Sequence, residues 1–312
     1  MNLWSVIEGA LVAGADSKKS IFYALSANGA ITVVKAVAAF VTGSGSLLAE
    51  AVHSLADCGN QALLLLGLSK AKHPPSDEFP LGSGKEIYFW SFIVAILLFS
   101  MGGLFSINEG IHKLQAHEPL RMPALALGVL VFALFAEGAA LFGCIREINK
   151  VRGERSLLRW FRESRQSELI VIFAEDLAAL LGLSLAIIAV AASWITGEPR
   201  YDAMGSIAIG TVLVLVAVFL AKEVKDLLVG QGVEKPVRKE MLAFLQAQQQ
   251  VDAVLNLRTL HMGTDVMVAI KARMARHPDD VSMIESINEI EKAFKGRFPE
   301  VAWLFFEPDL RD

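Results

Sequence analysis

Up to Val229 the chain is dominated by six apolar stretches, at about 21–41, 46–68, 87–111, 122–144, 169–195 and 204–222. Each is close to the roughly 20 residues that a helix needs to cross the hydrocarbon core of a bilayer. Backbone that enters lipid must satisfy its own hydrogen bonds, so stretches of this length predict transmembrane helices rather than open strands. With 54% of its 312 residues hydrophobic and a mean hydropathy of +0.48, the chain is too apolar for an ordinary soluble domain. The net charge of −4 argues against nucleic acid as a partner, because the basic residues gather in loops that flank the spans instead of forming a binding face.

Connections alternate. Those near 43–45, 113–121 and 196–201 are short, and those after the second and fourth spans are longer. The loop after span four carries Arg146, Lys150, Arg152, Arg155, Arg159, Arg162 and Arg165, which the positive-inside rule assigns to the cytoplasmic face. Lys18, Lys19, Lys70, Lys72 and Lys85 fall on the same side, and six spans then put both termini in the cytoplasm. This predicts a multi-pass integral membrane protein of the inner or plasma membrane if the source is bacterial. The segment 1–19 reads as an N-terminal cytoplasmic stretch without a cleavable signal, and 20–232 as the transmembrane domain. The charged loop reads as a solvated helical face touching anionic head groups.

From 233 to 312 the pattern changes to an αββαβ order, predicting a small cytoplasmic ferredoxin-like α+β domain. A helix over 237–249 opens at Pro236, and a strand follows over 251–261. Val266, Val268 and Ile270 then alternate with Met267, Lys271 and Arg273, the period-two pattern of a half-buried strand. Ile284, Ile287, Ile290 and Phe294 recur at helical spacing, and 301–306 forms a last strand.

Chemistry is concentrated in span two. His53 and Asp57 lie four residues apart, hence one turn apart on one helix face. Glu50 and Asn60 extend that face to a polar stripe on an otherwise apolar helix. Ionisable groups at membrane depth are costly and mark ion pathways by default. The bland alternative is helix-to-helix hydrogen bonding within a bundle. Lys35 reads as structural, snorkelling or paired with an acidic neighbour. Glu137 is either its partner or part of a proton path. Cys58 and Cys144 show no ligand spacing and read as small buried side chains. Lone histidines, His117 and His261 among them, read as surface or satisfied groups. No nucleophile–base arrangement or cofactor fingerprint is present, so the chain does not read as an enzyme, and no prosthetic group is expected.

The chain resembles the cation diffusion facilitator family of divalent-metal transporters. The match is carried by Ala27 and Asn28, Lys35, Thr42–Gly43–Ser44 and the run SLLAEAVHSLAD at 46–57. GSGKE at 82–86, YFWS at 88–91, Glu175 with Asp176, and Gly182 add to it. The entry YFWS and the Glu-Asp pair look closest to the branch that includes the animal mitochondrial zinc exporter. What the resemblance implies is a homodimeric secondary transporter that moves a divalent metal ion out of the cytoplasm against protons. Its metal site would comprise His53, Asp57 and Asp176, with Glu175 or Asn28 as equal candidates for a fourth ligand and Glu50, Asn60 and Glu137 around it. Lys85 matches a family lysine that joins protomers by a charge pair, although its acidic partner near Val229 is missing here.

The chain departs from the family pattern at Ile172, one turn before Asp176, where an apolar side chain stands in place of a ligand. Zinc favours nitrogen-containing tetrahedral sets, and the loss of one ligand shifts the site toward oxygen donors. Zinc remains the first expectation, with manganese, iron(II) or cobalt as alternatives through the same site, and a non-transporting scaffold as the rival of another class. Family ligand positions outside the spans hold Phe79, Ser83, Leu255, Lys271, Ile287, Phe305 and Glu307. The tail is therefore expected to dimerise without a binuclear metal site.

Overall fold

The computed structural model describes the backbone of residues 14–116 and 119–311, with side chains from Asn28 onward. The expectation for segment 1–19 falls outside the described residues apart from the backbone of 14–19, and so do the side chains of Lys18 and Lys19 and the lone His117. The chain divides into two compact units, one made by the apolar helices up to Glu223 and one built around the C-terminal part from Val224.

In the first unit, helix α1 (Gly14–Thr42) is followed by α2 (Gly45–Ala71). Helix α3 (Glu86–Leu97) runs through a π-helical segment, Leu98–Leu104, into α4 (Phe105–Ala116). Then come α5 (Pro123–Val151), the short α6 (Leu157–Glu163), α7 (Ser167–Thr196) and α8 (Arg200–Val229). Among the described residues, four of these rods are long and apolar enough to cross a membrane: Glu86–Ala116, Pro123–Val151, Ser167–Thr196 and Arg200–Val229. Helix α2, at 27 residues, has the length but not the composition. Glu50, His53, Asp57 and Asn60 lower its hydropathy. Of α1, the part with described side chains, Asn28–Thr42, is apolar but short.

Polarity is distributed inside out. Phe40 is 92% exposed and Phe135 75%, whereas Lys35, Glu50, His53 and Asn60 are fully buried. Phe132, Phe142, Ile188 and Leu215 also face outward. A surface this apolar over polar buried groups is stable only where the surroundings are themselves apolar, as in lipid.

The turn between α1 and α2 is fixed by a residue far away in sequence. Asp202, in the first turn of α8, is buried, and its carboxylate accepts from Ser44 Oγ at 2.7 Å, Gly45 N at 2.6 Å and Ser46 N at 3.3 Å. It therefore caps the N-terminus of α2 from another helix, satisfying amides that have no partner inside α2. Lys113 Nζ donates to the Gly43 carbonyl beside it. Helix α4 and the π-helical segment approach α8 closely: a Cβ on Gly210 would meet Gly103 O at 2.6 Å, and one on Gly110 would meet Ala203 O at 2.7 Å. Such close backbone contact is a usual way for helices to associate in lipid.

The charged loop after α5 differs from the expected solvated face. Helix α6 buries Trp160, and Phe161 stacks on Phe219 with ring centroids 5.4 Å apart and meets Phe173 edge-on at 5.5 Å. The loop is amphipathic, and the aromatic pair was masked in the sequence by the arginines around it.

The second unit contains α9 (Lys235–Gln246), β1 (Val251–Met262), β2 (Asp265–Met274), α10 (Asp280–Arg297) and β3 (Val301–Pro308), the αββαβ order expected. Helix α9 ends three residues earlier than the sequence pattern suggests, and the chain turns there with Gln248 N bonding to Leu245 O. The sheet order is β1-β2-β3, with β1 antiparallel and β3 parallel to the central strand. Val266, Val268, Ile270 and Ala272 pack against Met241, Leu245, Ile290 and Phe294 from the helices. Helix α10 opens with a capping box in which Asp279 accepts from Ser282 N at 2.8 Å, and those bonds hold the Asp279 carboxyl below its ordinary range.

Residues 67–89 and 163–165 cluster with this unit. Tyr88 Oη donates to Gly263 O at 3.1 Å and accepts from Gly263 N at 3.2 Å. Gly84 lies so close to the β1–β2 turn that a Cβ there would fall 1.8 Å from Met262 O. Arg165 Nε donates to Gly232 O at 3.1 Å. Burial holds the imidazole of His261, in β1, below its ordinary range. A backbone bond at Gly263 opposes that shift, and the nearby Arg165 charge adds to it.

Candidate metal centre

Helix α2 presents Glu50, His53, Asp57 and Asn60 on one face because their spacing of three, four and three residues follows the helical turn. His53 Nε2 lies 3.6 Å from Asp57 Oδ2, near but beyond hydrogen-bonding distance. Both His53 ring nitrogens, both Glu50 carboxylate oxygens, Asp57 Oδ1 and Asn60 Oδ1 are buried without a hydrogen-bond partner. Each such atom costs on the order of 1–3 kcal/mol. So many on one helix face is expensive for a purely structural stripe, and it is what a helix that supplies donors to a passing cation requires.

Helix α7 supplies the facing acids. Asn60 Nδ2 donates to Glu175 Oε1 at 2.6 Å, which ties α2 to α7 at this level. Asp57 and Asp176 both act electrostatically on Glu175, so the three carboxylates share one region. Asp176 is partly exposed, and Ile172, one turn earlier, offers no donor atom. Asn28 is half-buried, and its backbone carbonyl accepts from Thr32 Oγ1 at 2.8 Å. Among the described residues no three His, Cys, Asp or Glu side chains are close enough to hold one ion together. The α2 pair and the α7 acids are thus neighbours without forming a three-donor cluster.

Toward the start of α2 lies a second polar cluster. Lys35 Nζ on α1 donates to Ser54 Oγ at 2.7 Å and sits 3.6 Å from Glu50 Oε2 and 3.8 Å from Glu137 Oε1 on α5. Glu50 packs under Gly182 of α7, where a Cβ would fall 2.3 Å from Glu50 Oε1. The sequence reading did not anticipate the π-helical segment beside the site. A Cβ on Gly102 would stand 3.9 Å from His53 Nδ1, so a glycine leaves the imidazole room on that side. The signal available for it was the Gly102–Gly103 pair inside an apolar span, a usual place for helix irregularity.

Lys85 Nζ lies beside Gly230, 4.0 Å from where a Cβ would stand.

The model of the cation efflux transmembrane domain matches residues 21–229. The chain belongs to the cation efflux family. Members of that family are integral membrane transporters, and among the described residues of this chain four helices are long and apolar enough to span a bilayer. It is similar to the protein named proton-coupled zinc antiporter SLC30A9, mitochondrial, of Xenopus laevis, with 33% identity over 78% of this chain and 44% of the relative. Metal tolerance protein C4 of Arabidopsis thaliana is 30% identical over 79% of this chain and 54% of its own length. The cation-efflux pump FieF of Serratia proteamaculans is 25% identical over 86% of this chain and 85% of its own. The chain thus spans less than half the length of the SLC30A9 antiporter it matches.

Proposed function

We propose that this cation efflux protein exports a divalent transition metal, zinc first, from the cytoplasm in exchange for protons. Its ligands are His53 and Asp57 on α2 with Asp176 and Glu175 on α7. The observation that carries this reading is the row of buried, unpartnered donor atoms on α2 facing the acids of α7. Glu175 is preferred to Asn28 as the fourth ligand because Asn60 already holds it against α2. The similarity to antiporters named for zinc and protons supports the choice of cargo.

Coupling follows from coordination chemistry. Imidazole must be neutral and carboxylates ionised to bind a metal, so an arriving ion displaces protons and a departing ion leaves sites that take them up. Closing α7 on α2 brings the donors together, and opening releases the ion, so alternating access needs one helix to rock against another. The lysines and arginines of the loops after the second and fourth spans support a topology with both termini in the cytoplasm. Two copies make the working unit, joined through the C-terminal domain, with Lys85 at the junction.

A second reading, export of manganese, iron(II) or cobalt through the same centre, is favoured by Ile172, which leaves the site with one imidazole and otherwise oxygen donors.

The test is metal uptake into vesicles containing the purified protein under an imposed pH gradient. The intact chain is expected to carry zinc, and Asp57→Ala and Asp176→Ala to lose most of the flux. Equal flux in all three contradicts the reading, and the order of metal preference decides the cargo.

A further inference from the structure

Lys35 is a buried cation held by three helices. Its ammonium faces Ser54 Oγ and Glu50 Oε2 from α2 and Glu137 Oε1 from α5, at 2.7, 3.6 and 3.8 Å. Glu50 is fully buried, and neither of its oxygens has a hydrogen-bond partner. Without a side chain, Gly182 leaves the space in which that carboxylate sits. Two carboxylates and a hydroxyl converging on one positive charge form the donor set of a hard divalent-cation site, with the ammonium standing where a metal would. The cluster lies on the same stripe as His53, one turn away.

We propose that Lys35 plugs a second cation site formed by Glu50, Glu137 and Ser54, and so confines the transported ion to the level of His53 and Asp57. The consequence rests on the transport reading above, but the plugged site does not. An ion moving past His53 would otherwise meet a second set of acids in the same bundle, and an extra bound ion there would be slow to leave. A tethered charge satisfies those acids without itself being exported.

The test counts manganese(II) bound per protomer by elemental analysis after equilibrium dialysis of the detergent-purified full chain. Lys35→Ala is expected to bind one ion more than the unaltered protein. That ion should persist in Lys35→Ala/Asp57→Ala and disappear in Lys35→Ala/Glu50→Gln. A folded Lys35→Ala that binds no additional ion overturns the proposal. If Lys35→Ala is unstable without metal, manganese(II) should raise its melting temperature and leave that of Lys35→Ala/Glu50→Gln unmoved; equal responses overturn it as well. Loss of the Asp57-dependent ion from the unaltered chain bears on the transport reading alone, so the two can fail separately.

Discussion

Asn60 on α2 donates a 2.6 Å hydrogen bond to Glu175 on α7, joining residues 115 positions apart in the chain at the level of the candidate centre. The bond engages one carboxylate oxygen of Glu175, and in the proposed site the other oxygen binds the cation. Supporting bonds to metal ligands typically change affinity or activity by 10–100-fold when removed. Asn60→Leu is therefore expected to lower zinc kcat/KM in vesicles by at least about tenfold, while Asn28→Ala changes it little. Unchanged transport by Asn60→Leu, or a larger loss from Asn28→Ala, would move the fourth ligand away from Glu175.

Ile172 stands one turn before Asp176, on the same face of α7. Replacing it with histidine adds an imidazole where the chain has a hydrocarbon. Imidazole favours zinc over manganese more than carboxylate or water does. Ile172→His is expected to raise the zinc-to-manganese ratio of kcat/KM by about tenfold, equivalent to roughly 1.4 kcal/mol. Competition between the two ions during uptake measures this directly, and an unchanged ratio would mean that position 172 does not face the ion.

The α2 face was legible in the sequence because its members are local: three- and four-residue spacing puts Glu50, His53, Asp57 and Asn60 together whatever surrounds them. The period-two and helical patterns of the C-terminal part were legible for the same reason. Which residues meet across helices was less so. The sequence marked Lys35 and Glu137 as candidates for each other, and the structure places them 3.8 Å apart. Nothing local to Asn60 names Glu175, however, and nothing in Gly182 says that its missing Cβ makes room for Glu50. Nothing local to Asp202 points to α2, and its work as a cap for that helix emerges only once α8 is packed. At α2 the sequence already showed an apolar stretch, although the residues that give the helix its chemistry lower the hydropathy by which a span is recognised.

Asp202 supplies three acceptor contacts to the start of α2 and is nearly fully buried. Asp202→Ala strips the cap and leaves buried donors unpaired, a loss of about 2 kcal/mol. Thermal unfolding in detergent is expected to show a clear drop for the alanine variant and a smaller one for Asp202→Asn, which keeps one acceptor oxygen. A melting temperature equal to that of the unaltered chain would contradict the capping role.

His261 gives the C-terminal unit a pH dependence with a definite sign. Burial keeps its imidazole harder to protonate in the folded state than the ordinary value of 6.5. As pH falls, the unfolded chain takes up the proton first. Stability is thus complete above about 6.5 and declines as pH drops toward the lower folded value. Hydrogen exchange of β1 and β2 in the full chain, corrected for intrinsic rates, should show protection falling between pH 7.5 and 5.5, and His261→Phe should flatten that dependence. An equally steep decline in the variant would assign it to other groups.

The central claim is that His53 and Asp57, with the acids of α7, surround the transported ion, and X-ray absorption at the zinc edge of the zinc-loaded protein tests it most directly. One imidazole nitrogen at about 2.0–2.1 Å and oxygens at about 2.0–2.2 Å, with the nitrogen signal lost in His53→Ala and zinc binding lost in Asp57→Ala, is the predicted result. A coordination shell that both substitutions leave unaltered would contradict it.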